Sequence, residues 1–66
     1  MMKRYKLKYN FKGLKKGTKF YLIAESEFIG VKEFVLRTSD LSTRISINEK
    51  ELRKYFRFMH YNSNED

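Results

Sequence analysis

Tyr5, Leu7, Tyr9 and Phe11 alternate with Arg4, Lys6, Lys8, Asn10 and Lys12. No other feature of the sequence constrains the fold as tightly as this strict period of two. Successive side chains of an extended strand point to opposite sides, so the segment predicts a strand with one apolar and one cationic face. On a helix the same residues would be scattered around the circumference. A strand of this kind must lay its apolar face against a core, and the rest of the chain has to supply one.

The next segments continue in extended form. Gly13 and Gly17 bracket Lys15 and Lys16 and predict a turn or loop. Thr18 to Glu25 reads as a second strand, with Phe20, Leu22 and Ala24 on one face and Tyr21 and Ile23 on the other. Ser26 to Lys32, with Gly30, reads as a hairpin connection, although Phe28 and Ile29 are apolar for a loop. Glu33 to Thr38 and Arg44 to Ile47 predict a third and a fourth strand. The polar turn between them is formed by Ser39, Asp40, Ser42 and Thr43, with Leu41 tucked inward.

The period then changes. Asn48 followed by Glu51 fits a capping box, and Leu52, Tyr55, Phe56 and Met59 at i, i+3, i+4 and i+7 predict one stripe of an amphipathic helix over about 49–59. Arg57 would lie in its last turn, where a cation is favoured. Residues 61–66 read as a frayed acidic tail.

The expectation is a single domain over 1–60, mainly β with a C-terminal helix. Its architecture would be a small SH3-like barrel or a strongly bent antiparallel sheet of four strands. With no cysteine, the 66 residues can use neither a disulfide nor a thiolate metal cluster, so side chains alone must form the core. Aromatic residues make up 17% of the chain. At on the order of 150–250 Å² buried per ring, they are what allows so short a chain to fold.

The charge is unevenly distributed. The formal net charge is +7, and residues 1–20 hold eight Lys or Arg and no acid. On a strand, Arg4, Lys6 and Lys8 project from one face about 6.8 Å apart. Such a row can follow the backbone of a polyanion, extended by Lys12, Lys15, Lys16 and Lys19, with Arg44, Arg53 and Arg57 as secondary contacts. Nucleic acid, RNA or DNA, is the partner this pattern predicts, held by phosphate contacts. Lysines on an outer strand also prevent edge-to-edge aggregation, which leaves a purely protective reading open. Tyr21, Tyr55, Phe58 and Tyr61 are the candidates for aromatic contact with bases.

The alternative is a small protein-interaction module, an accessory subunit or inhibitor. It would dock on an acidic partner surface through the basic strand, or on an apolar groove through Phe28, Ile29, Tyr55 and Phe58. A homodimer through the C-terminal helix belongs to the same reading.

Enzymatic function is not expected. His60 is the single histidine and has no ligating or catalytic company at suitable spacing, so neither a metal, a catalytic residue nor a cofactor is predicted. Glu25 and Glu27 would share a strand face and could pair with the basic strand across the sheet. The glycines do not make a phosphate loop. No apolar run approaches the roughly 20 residues of a spanning helix, and no apolar stretch follows the basic N-terminus. Neither a membrane partner nor a secretory leader is therefore expected, and the expected compartment is the cytosol.

Overall fold

A computed structural model describes residues 2–62. The elements run β1 (Met2–Leu7), β2 (Lys19–Phe28), β3 (Val31–Thr38), β4 (Arg44–Asn48), α1 (Glu49–Tyr55) and β5 (Phe56–Asn62). They build one antiparallel sheet in the order β4-β3-β2-β1-β5. The sheet is not closed, and β4 and β5 are its two edges.

One side of the sheet carries the core. Tyr5, Leu7, Phe20, Phe34, Leu36, Ile47, Leu52 and Phe56 form one buried cluster. Alternation puts Tyr5 and Leu7 of β1 there; Tyr5 lies opposite Phe20 of β2, which in turn lies opposite Thr38 of β3. Phe20 meets Phe56 edge to face at 5.3 Å, and Phe56 meets Phe11 at 5.8 Å. α1 starts as its sequence predicts: Asn48 Oδ1 accepts from the Glu51 amide, and Glu51 Oε1 accepts from the Asn48 amide. Leu52 drops into the core from this helix of about two turns and ties α1 to the sheet.

The largest departure from the sequence reading is at the C-terminus. The helix expected over 49–59 stops at Tyr55, and Phe56 leaves it in extended conformation (φ −120°, ψ 148°). Phe56–Asn62 then pairs with β1 as a fifth strand, so four strands become five, and Tyr61 and Asn62 belong to that strand instead of a frayed tail. Residues 63–66 lie outside the described part. The physical reason is the flank of β1: β2 covers one edge of that strand, and β5 supplies hydrogen bonds for the other. The aromatic rings of Phe56 and Phe58 also suit a pleated, half-buried sheet surface.

Three smaller departures matter for the surface. β1 ends at Leu7, so Tyr9 and Phe11 do not continue its apolar face; Tyr9 is exposed, and Phe11 forms an isolated bridge with Leu14. A bulge at Ile23 shifts the β2–β3 register, so Phe20 and Leu22 face the core while Ala24 is turned to the opposite face. Leu41, expected inside, is exposed at positive φ (65°).

The turn around Leu41 is organised by Asp40 instead. Its Oδ1 accepts from Thr38 Oγ1 (2.7 Å), Ser42 Oγ (2.7 Å) and the Ser42 amide (3.0 Å). These bonds hold the carboxyl at about 2, below its ordinary 3.8, with the Thr38 hydroxyl the largest cause and Ser42 next. A depressed carboxyl stabilises the fold above its ordinary pKa, and that contribution is lost as pH falls through the folded value. Asp40→Asn is therefore expected to unfold more easily than the parent from neutral pH down to about 4, with the gap closing between 3.8 and about 2. Urea midpoints measured across that range check it.

β2 and β3 extend beyond their neighbours. β1 pairs with β2 only at Lys19–Tyr21, and β4 pairs with β3 only at Glu33–Arg37. The hairpin from Ser26 to Lys32 thus stands out as an arm, tipped by exposed Phe28, Ile29 and Val31. Its connection is two residues long, Ile29 and Gly30, both at positive φ (52° and 76°). Asn or Asp suits the first position of such a turn, whereas a β-branched residue is strained there. Ile29→Asn is expected to stabilise the protein by about 1 kcal/mol, read from its denaturation midpoint.

Candidate nucleic-acid interface

Residues directly opposite one another in an antiparallel ladder project from the same face. On the side away from the core, the registers place Arg57 of β5, Lys6 of β1 and Lys19 of β2 in one row. Two residues along β1 they place His60, Arg4, Tyr21, Arg37 and Arg44 in a second row that crosses all five strands. At about 4.8 Å between strands this second row is about 19 Å wide, and the two rows lie about 7 Å apart. One sheet face thus carries six Lys or Arg side chains and the histidine.

None of these cations forms an ion pair with another described residue. Among the described residues the ion pair formed is Arg53–Glu49 on α1 (3.1 Å), away from this face. The expected pairing of Glu25 and Glu27 with the basic strand does not form, because the β1–β2 ladder ends at Tyr21, about 13 Å before Glu25. Glu25 lies opposite Phe34, and Glu27 opposite Lys32, on the arm. Like charges at cross-strand spacing repel, and water and salt moderate but do not reverse that repulsion. An anion laid on this face relieves it.

Tyr21 sits in the middle of the wider row, half-buried. The Arg4 guanidinium lies 4.6 Å from its ring centroid and donates from Nη2 to Ser39 Oγ at 2.7 Å. The ring therefore orients Arg4 and does not offer that face to a base. The Nε atoms of Arg4 and Arg37 are buried on either side of it without a hydrogen-bond partner.

At the end of the face where β1 runs into the loop 8–18, the surface is concave. A cavity of about 480 Å³ is lined by Lys6, Leu7, Lys8, Tyr9, Lys16, Gly17 and Arg57. Four of the seven are cationic and none is acidic. The Gly17 amide donates to the Leu7 carbonyl (2.8 Å), the Lys8 amide to the Tyr55 carbonyl (2.7 Å), and the Lys16 amide to Asn10 Oδ1 (2.9 Å), so the loop is fastened to the sheet and to the end of α1. Gly17 takes φ +94° to make this return.

The predicted contacts divide accordingly. Arg4, Lys6, Lys19, Arg44 and Arg57 share the face, and Lys8 and Lys16 join Lys6 and Arg57 around the cavity. Lys12 and Lys15 stand on the loop and do not line the cavity; the Lys12 ammonium lies over Phe11 at 5.5 Å. Arg53 stands on α1. Of the aromatic candidates, Tyr55 is half-buried and stacked on Phe11 (4.4 Å), and Phe58 sits edge to face with Tyr5 (5.6 Å). Both pack against neighbours of the core side. The Tyr61 side chain lies outside the described part. Three residues escape the sequence reading: Arg37 and His60, whose places depend on register, and Tyr9, which alternation assigns to the core. The Asn10 and Gly13 turn residues just beyond Tyr9 were the available signal that the strand ends early.

No group of three or more potential metal ligands occurs among the described residues. No helix among them is long and apolar enough to cross a membrane. No protein-family model, curated protein or solved structure matches the chain.

Proposed function

We propose that this protein is a non-catalytic module that binds nucleic acid, RNA or DNA, through the outer face of its sheet. One observation carries the reading: six Lys and Arg side chains from all five strands project from one face in register, with no ion pair among the described residues. Binding is through phosphates, and affinity falls steeply with salt as counterions are released. At finer grain we read the open five-stranded sheet as an SH3-like arrangement, which its meander and short helix before the last strand support. Fluorescence anisotropy with labelled RNA and DNA over a salt series tests the function. A log–log salt slope of about −4 or steeper is expected. Binding no tighter than that of an unrelated protein of equal charge overturns it.

A second reading rests on the arm. Phe28, Ile29 and Val31 are 76%, 83% and 66% exposed, and an apolar tip of this kind suits docking into a partner protein's groove. Capture of a partner that survives nuclease and is lost in Phe28→Ser favours it over the first.

A further inference from the structure

We infer that the cavity beside the loop 8–18 is a nucleotide subsite, in which one unpaired base stacks on Tyr9 while its phosphate lies among Lys6, Lys8, Lys16 and Arg57. The protein accordingly prefers single strands to duplex. This rests on the nucleic-acid reading of the sheet face and adds to it the kind of strand bound.

Two rows of cations attract any polyanion, single or double stranded. Tyr9 is different in kind. It is 57% exposed, whereas the other tyrosines among the described side chains are buried or half-buried. Its ring meets that of Tyr55 edge to face, at 6.3 Å and 89°. The four cations of the cavity and this ring belong to one concavity of about 480 Å³, within the size range of small-ligand sites. A ring next to clustered cations is the combination that binds unpaired nucleotides, because every base has a flat face to stack and a phosphate beside it. In a duplex those base faces are covered by neighbouring pairs, so a duplex can use the lysines but not Tyr9.

The site is also held in shape before anything binds. Backbone bonds from Gly17 to Leu7 and from Lys8 to Tyr55 anchor both ends of the loop. Less ordering is then needed on binding, which favours affinity. Lys6 and Arg57 belong both to the cavity and to the first row of the sheet face, so a strand lying on the face leads into the subsite without a break in positive charge.

The test compares a labelled oligodeoxythymidine with a duplex of the same length, for the parent, Tyr9→Ala and Tyr9→Phe, with thermal melting to confirm that each variant is folded. The parent is expected to bind the single strand about tenfold more tightly; Tyr9→Ala removes that preference, and Tyr9→Phe keeps it. Equal binding of both strands by the parent, or a preference unchanged in folded Tyr9→Ala, overturns the subsite and leaves the sheet-face reading standing. Absence of binding to either strand overturns the sheet-face reading itself.

Discussion

Changing Lys6 and Arg57 together to glutamate is expected to lower affinity for a short oligonucleotide about a hundredfold at low salt, and to flatten the salt slope by about two. The two side chains are cross-strand partners at the point where the sheet face meets the cavity. Reversing both removes two phosphate contacts and leaves two carboxylates in the path of the backbone. The informative control is Lys12→Glu with Arg53→Glu. It changes net charge by the same amount, but Lys12 stands on the loop over Phe11, and Arg53 pairs with Glu49 on α1. That variant is expected to lose only a few-fold, through the general field of the molecule. Equal losses in the two variants would mean that total charge, and not its placement, governs binding. Lys6 and Arg57 are exposed and bear no ion pair among the described residues, so stability is expected to change by less than about 0.5 kcal/mol.

Phe20→Ala is expected to have the largest effect on stability. Phe20 has no exposed surface, lies between Tyr5 and Thr38 in the sheet, and meets Phe56 of the last strand edge to face. Truncating a buried phenylalanine costs about 3–5 kcal/mol. A domain of this size sits at the low end of the usual 5–15 kcal/mol, so a large unfolded fraction is expected at room temperature, visible as lost amide dispersion in NMR spectra. Phe28→Ala is the matched control. The same atoms are removed from an arm tip that is 76% exposed, and the midpoint should barely move.

These expectations depend on features that differ in how visible they are in the sequence. Tyr5 and Leu7 show their face by alternation, and Asn48 with Glu51 shows the helix start, because both are local rules with a fixed spacing. The end of that helix is ambiguous for a physical reason. Phe56 and Met59 continue a helical stripe, yet Phe56 and Phe58 also alternate, and seven residues of strand are selected by the vacant flank of β1, far away in sequence. Tyr9 shares the alternation of β1 but not its conformation, since the Lys8 amide bonds to the Tyr55 carbonyl instead of extending the ladder. The cationic face was half visible. Arg4 and Lys6 declare themselves on one strand, whereas Arg37 and Arg44 join them only through registers that no single segment encodes.

The ladder between β1 and β5 has a kinetic meaning. It pairs Met2 with Asn62 and Leu7 with Phe56, so residues about fifty to sixty positions apart must meet before the sheet is whole. The β2–β3 hairpin can zip locally, but the last strand closes the longest loop in the chain, which makes folding slow for so short a polypeptide. Until then one side of β1 offers bare amides and carbonyls to any neighbouring molecule. The lysines and arginine along that strand keep nascent copies apart by mutual repulsion during this interval.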